Sequence, residues 1–257
     1  MATQLLFYAQ ATPLNATAHR DLSVKLGNDY RFARQTNAVP LTSAEFPVAV
    51  HEYAIVFAGT DAALTPIVVL GAQQDQNLYL NADGTWNAHY IPAFVRRYPF
   101  VLAQSPEGKT LTLCIDEQFA GCNHEGHGER LFDADGERTA YLQQVLSFQQ
   151  AYQAQHQRTR EFCKRLVGLG LLQTVQAQLS AAGGARRVLN GLRVVDRHRL
   201  KALDAQAVHD LLHSDELDLI YLHLHSLNNL RLIGERLPAT AATTTADSGP
   251  DSNSAVH

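Results

Sequence analysis

The sequence predicts an α+β protein, with an antiparallel β-rich N-terminal part packed with a mostly helical C-terminal part that contains a small hairpin. Three observations predict it. Short apolar runs rich in β-branched and aromatic residues fill the first half, separated only by turn-forming residues. After Asp135-Gly136 the apolar spacing changes to that of a helix. Within the helical half, Asn190-Gly191 sits between two Val/Leu-rich runs, a hairpin signal. The expected organisation is a β-rich part at 1–135, a mostly helical part at 136–237 with its hairpin near 186–196, and a disordered tail at 238–257.

The elements follow in chain order. "HEYAIVF" (His51–Phe57) and "PIVVLGA" (Pro66–Ala72) read as buried strands. "NLYLNADGTW" (Asn77–Trp86) places Asp83-Gly84 between two strand candidates. "FVLAQSPEGKTLTLCID" (Phe100–Asp116) repeats the pattern as strand, Pro-Glu-Gly-Lys turn, and strand with Leu111, Leu113 and Ile115 alternating. Strands joined by such short turns pair antiparallel. Tyr141, Val145, Phe148 and Tyr152, continued by Phe162, Leu166 and Leu169, lie on one helical face, so helix is expected to about Leu179. "SAAGGA" (Ser180–Ala185) ends it, and "RRVLNGLRVVD" (Arg186–Asp196) supplies the compact hairpin. Further helices are expected at Asp204–His213 and Asp215–Leu237, the last with Ile220, Leu224 and Leu227 as its apolar stripe. The small, polar residues from Pro238 onward cannot build a core.

Composition narrows the function classes. The chain has 257 residues, 46% of them hydrophobic and 18% charged, a balance that supports a substantial core. Its net charge of -4 carries no global basic field, so no nucleic-acid partner is expected. The charge is uneven: Gln104–Arg138 holds eight acidic and three basic residues, and Gln153–Lys201 ten basic and two acidic. A solvated helix face explains that basic stretch better than an anionic partner. Cys114, Cys122 and Cys163 have no CxxC spacing, which suits a reducing compartment. "MATQLLFYAQATPLN" lacks a basic n-region and a long apolar core, so no signal peptide is expected; with no apolar run long enough to span a membrane, the expected location is cytoplasmic.

Several stretches carry letters of chemistry. "CNHEGHGE" (Cys122–Glu129) offers Cys122, His124 and His127 as metal-ligand candidates. Zinc frameworks pair ligands in two separated knuckles, no second knuckle is present, and Gly121, Gly126 and Gly128 suit a polar loop, which is the preferred reading. His209 and His213 echo a zincin helix, but Asp210 stands where the general-base Glu belongs and the helix ends at His213. His223 and His225 are two apart on a helix and face different ways. No P-loop, GxSxG or post-strand GxGxxG is present, and no cofactor is expected.

The most distinctive stretch is "WNAHYIPAFVRRYPFVL" (Trp86–Leu102). It sets Trp86, Tyr90, Phe94, Tyr98 and Phe100 around Arg96-Arg97, with Pro92 opening a short helix and Pro99 closing it. Paired arginines among aromatics suit bidentate capture of a carboxylate or phosphate. The structural alternative is an aromatic core rim whose arginines pair with Asp116 and Glu117. The candidate ligand-binding set is therefore Arg96, Arg97, Tyr90, Tyr98, Trp86, Asp116 and Glu117.

"GTWNAHYIPAFVRRYPFVL", "LCIDE", "RLFDADGE" and "GLRVVDRHRLKAL…LIYLHLHSLNNLRLI" together resemble the SapC family of bacteria, over roughly Leu5 to Leu237. This is the family named after a surface-layer locus, distinct from the similarly named peptide-transport permease. The resemblance implies no settled activity and no catalytic residues to carry over. It implies association with surface-layer proteins in some bacteria, and with halogenase-like proteins, cupin-like proteins and outer-membrane receptors in others. It also implies that the segment between "IDE" and "LFD" is acidic and variable, which counts against the metal reading of Cys122–Glu129.

The expected function is that of a non-catalytic binding or accessory protein holding a peptide or protein partner at the Arg96/Arg97 aromatic region. The alternatives are a metal-dependent enzyme or enzyme subunit and a surface-layer assembly or export factor. The oligomeric state is not legible.

Overall fold

The computed structural model describes residues 6–104, 110–180, 184 and 186–237. In chain order the strands are β1 (Ala11–Pro13), β2 (Ser23–Val24), β3 (Ala38–Pro40), β4 (Ile55–Ala58), β5 (Thr65–Val69), β6 (Phe100–Gln104), β7 (Leu111–Asp116), β8 (Cys122–Asn123), β9 (Glu129–Arg130), β10 (Leu172–Ser180) and β11 (Arg186–Val195). The helices are α1 (Phe46–Ala49), α2 (Ala93–Arg96), α3 (Ala140–Gly168), α4 (Arg197–Lys201), α5 (Ala205–His213), α6 (Glu216–Ser226) and α7 (Leu230–Arg236). Antiparallel strands dominate the N-terminal part and helices the C-terminal part, the α+β arrangement the sequence predicts.

The β-branched runs pair as expected: β4 and β5 are antiparallel with Val56 opposite Ile67, and β6 and β7 with Val101 opposite Cys114. The main sheet has the order β10-β11-β4-β5-β3, so it draws strands from both sides of residue 135. Its core buries Phe57, Val68, Phe162, Leu166 and Ile220 between sheet and helices. A second cluster, with Leu22, Val24, Ile115 and Leu131, joins the small sheets β1-β7-β6 and β8-β2-β9 to the start of α3 at Leu142.

Four sequence expectations need correction. The long helix stops at Gly168, not near Leu179. Gly170, at φ +64, closes it with the Leu171 N–H on Leu166 O and its own N–H on Val167 O, both bonds that satisfy terminal carbonyls. Beyond it, Leu172–Ser180 lacks a helical apolar repeat and forms β10. The hairpin in the helical half is β10–β11, paired from Leu172↔Val195 to Ser180↔Arg186. Asn190-Gly191 is not its turn. There the register passes from Val175↔Leu192 to Ala177↔Leu189, one extra residue on β11, with Gly191 at φ +73: a bulge within a strand.

Asp83-Gly84 does make a tight turn, with Gly84 N–H on Asn81 O, but its flanks form only the Leu80↔Trp86 bridge. Leu78 N–H is instead committed to Leu70 O, and the Asn77 side chain takes the Tyr79 N–H. The last predicted helix is broken into α6 and α7 by a 3-10 turn at Leu227–Asn229, where Asn229 Nδ2 donates to Val50 O and Tyr53 O. The predicted Pro-Glu-Gly-Lys turn and the tail at 238–257 lie outside the described residues.

Candidate functional site

Residues 89–97 are positioned by two carboxylates. Glu52 accepts from the backbone N–H groups of His89 and Tyr90 at 2.8 and 2.9 Å and from the His89 ring at 2.9 Å. Burial pushes the Glu52 carboxyl up, but these bonds outweigh it and hold the group below its ordinary range. Glu45 is buried and accepts four bonds. Its Oε1 takes the Ala93 N–H at 2.7 Å and the Tyr90 hydroxyl at 2.8 Å, while Oε2 takes the Thr42 N–H and hydroxyl, both at 2.8 Å. The Tyr53 hydroxyl donates to Tyr90 O and accepts from Trp86 Nε1 at 2.7 Å, tying the indole into the same network.

Pro92 caps α2, whose fixed φ suits a helix entrance, and Pro99 precedes β6. In this short helix, consecutive side chains point about 100° apart. That rotation splits the two arginines. Arg97 turns inward, only 3% exposed, with its guanidinium carbon 4.2 Å from the Phe94 ring centre and 5.0 Å from that of Tyr152. Arg96 turns outward and is exposed. Its Nε donates to Ile91 O at 2.9 Å and its Nη2 to the Tyr90 hydroxyl at 3.4 Å, and its guanidinium carbon lies 5.6 Å from the Tyr90 ring centre and 5.4 Å from that of Phe148. Among the described residues, no carboxylate lies within ion-pair distance of Arg96.

The remaining nominated residues divide between interior and surface. Asp116 is fully buried and accepts the Ala9 and Gln10 N–H groups, the Gln118 N–H and the Tyr98 hydroxyl. Glu117 is exposed and pairs with the buried His19 at 2.9 Å. Tyr98 is buried beneath Tyr8, Phe32 and Phe119. Trp86, Arg97, Tyr98 and Asp116 are thus buried, whereas Tyr90 is half-buried and Arg96 exposed. Burial, then the neighbouring carboxylate, raises the Tyr90 and Tyr98 hydroxyls well above the ordinary tyrosine range, so both remain donors.

The sequence reading missed Glu45, Glu52 and the wall residue Phe148. A signal for Glu45 was present, since Thr42-Ser43-Ala44-Glu45 has the capping-box pattern, with both reciprocal bonds formed. Glu52 carried none, because a lone Glu beside a strand is ordinarily a surface residue.

The family model for SapC matches residues 14–232, most of the chain and all of the segment around Arg96. The chain belongs to the SapC family. No curated protein and no solved structure gives a significant match.

The other candidates on this SapC-family chain are placed as follows. Cys122 and Glu129 stand on β8 and β9, which flank β2. Between them Asn123 organises the loop: its Oδ1 accepts the Glu125 and His127 N–H groups, and its Nδ2 donates to His127 O. The Cys122 thiol points to Asp116 O, whereas His124 and His127 are exposed. Among the described residues no three His, Cys, Asp or Glu side chains converge as a metal site would need, so Cys122, His124 and His127 are not brought together.

His209 and His213 stack in parallel, 5.8 Å apart, on the exposed side of α5, which ends at His213. His223 is buried and His225 exposed. Within the basic stretch, four of the ten cations pair with nearby acids, through Lys164–Glu161, Arg165–Glu216, Arg193–Asp61 and Arg199–Asp196. No helix among the described residues is long and apolar enough to cross a membrane.

Proposed function

We propose that this SapC-family protein is a non-catalytic binding protein that holds a carboxylate-bearing peptide segment of a partner protein at Arg96. The observation that carries the reading is the state of that side chain. Its Nε is fixed on Ile91 O, its Nη2 reaches the Tyr90 hydroxyl, the Tyr90 and Phe148 rings lie beside it, and it is exposed. A guanidinium held this way has lost part of its rotamer freedom before any ligand arrives, which lowers the entropy cost of binding. Its remaining donors suit a carboxylate, and the flanking rings suit apolar side chains beside it. Tyr90, held protonated with its hydroxyl given to Glu45, serves as a wall rather than a nucleophile.

The test is a defined array of extended peptides, with and without Asp or Glu, probed with the wild type, Arg96→Lys and Arg96→Ala. Wild type should retain acid-bearing peptides; Arg96→Ala should lose at least roughly tenfold in affinity, the scale of one charge-assisted hydrogen bond. Arg96→Lys should fall between, since an ammonium cannot bind bidentately. Equal retention by a folded Arg96→Ala protein, or no acid-bearing peptide held by the wild type, overturns the reading.

A further inference from the structure

β4 and β11 are neighbours in the main sheet, yet only Arg193↔Phe57 registers as a ladder pair. Two residues on, the same antiparallel register sets Val195 opposite Ile55, as the next pair that should exchange backbone hydrogen bonds. That exchange is made by side chains of α6. The Val195 N–H donates to His223 Nε2 at 3.0 Å, and His223 Nδ1 lies 2.8 Å from Ile55 O. Ile55 N–H donates to Ser226 Oγ at 2.9 Å, and that hydroxyl donates to His223 O. An imidazole and a hydroxyl have replaced one rung of the sheet.

Only one protonation state performs this. Nε2 must accept from Val195, so the single proton must sit on Nδ1 and be given to Ile55 O. A doubly protonated ring would turn a donor toward the Val195 N–H. We propose that His223 is a proton-operated latch between β4 and β11, holding the base of the β10–β11 hairpin to the sheet when neutral and releasing it when protonated.

The surroundings suit that role. His223 is fully buried against Phe57, with ring centres 4.9 Å apart. β4 and α1 carry no ionisable side chain. On β11 the nearest is Arg193, whose guanidinium is paired with Asp61 at 2.7 Å; Arg186 and Arg187 lie at the far end of that strand. On α6, Asp218, Tyr221 and His225 are exposed, and Glu216 is engaged by Arg165. On α5, which packs on α6, His209, Asp210 and His213 are exposed, and among the described residues no carboxylate pairs with His223. Burial accordingly pushes the ring down to about 4, against a smaller opposing effect of the Ile55 carbonyl.

The latch has a defined signature in the full chain. With the released ring titrating near about 6.5, lowering the pH from 7.5 to 4.5 raises the opening equilibrium by roughly 70-fold. Hydrogen exchange measured by mass spectrometry, corrected for intrinsic pH dependence, should show that gain in peptides covering 189–196. Peptides of β3 and β5 should not follow. His223→Gln supplies an amide acceptor and donor without a titrating group, and its 189–196 exchange should be the same at both pH values.

The proposal is overturned if 189–196 tracks β3 and β5 in the wild type, or if His223→Gln keeps the pH response. Should that variant fail to fold, nitrogen NMR of the wild-type imidazole decides. Protonation of His223 in step with the opening of 189–196 supports the latch, and opening while the ring stays neutral overturns it.

Discussion

The Tyr90 hydroxyl donates to Glu45 Oε1 at 2.8 Å, on the same oxygen that takes the Ala93 N–H. One buried carboxylate therefore fixes both a wall of the Arg96 site and the start of the helix that carries Arg96. Replacing Glu45 with Ala strands buried donors and should cost about 3 kcal/mol in urea unfolding. Glu45→Gln keeps an acceptor oxygen and should cost about half as much. A loss under about 1 kcal/mol for Glu45→Ala would show that the network does not hold this segment.

The same substitution should have opposite signs at two helical glycines. A Cβ on Gly234 would stand 2.5 Å from Ser180 O, a backbone atom that cannot swing aside where α7 packs on β10. Gly234→Ala should cost about 2 kcal/mol and lower Tm by about 4–8 °C. A Cβ on Gly168, at the end of α3, meets nothing within 4 Å. Gly168→Ala should therefore raise stability by about 0.5 kcal/mol through helix propensity. Thermal unfolding of both variants beside the wild type checks the pair.

Cys122 should be a sluggish thiol. Burial first, then the charges of Asp116 and Glu117, pushes it up to about 11. At pH 8 its thiolate fraction is about two hundred times below that of a free cysteine, whose value is about 8.5. Iodoacetamide labelling followed by peptide mass spectrometry should show slow modification in the native protein and ordinary rates after unfolding. Native labelling as fast as unfolded labelling would contradict the burial argument.

Acid should weaken the fold in a window set by His223. The folded ring titrates at about 4, below the unfolded value of about 6.5. Above 6.5 both states are neutral and full stability is present. As pH falls from 6.5 to 4 the unfolded state binds a proton that the folded state refuses, so stability drops by up to about 3 kcal/mol. Urea midpoints at pH 7 and 4.5 should fall further in the wild type than in His223→Gln, and parallel falls would remove His223 from the account.

Local pattern was legible in the sequence wherever local chemistry decided the outcome. The alternation in Leu111–Ile115 and the β-branched run at Ile55–Phe57 became strands, and Pro92 opened α2. The helix from Tyr141 formed because Thr139 caps it and its apolar spacing buries Tyr152, Phe162 and Leu166. Reading failed where one dipeptide serves two backbones. Asn190-Gly191 supplies a positive φ equally well for a turn or for a bulge, and the choice depends on whether a partner strand lies alongside.

The candidate site shows the same division. Sequence alone determined that Trp86–Leu102 concentrates aromatic and cationic groups, because composition and proline placement are local properties. It also determined that Cys122–Glu129 has the glycines of a shaped loop. Only the tertiary structure decided which arginine is buried and which exposed. Arg96 and Arg97 are adjacent in the chain but separated by the helical rotation, and α3 supplies Tyr152 beneath one and Phe148 beside the other. Likewise no local signal sets His223 between Ile55 and Val195. Those groups meet only when α6 packs against the sheet, and burial there selects the neutral ring.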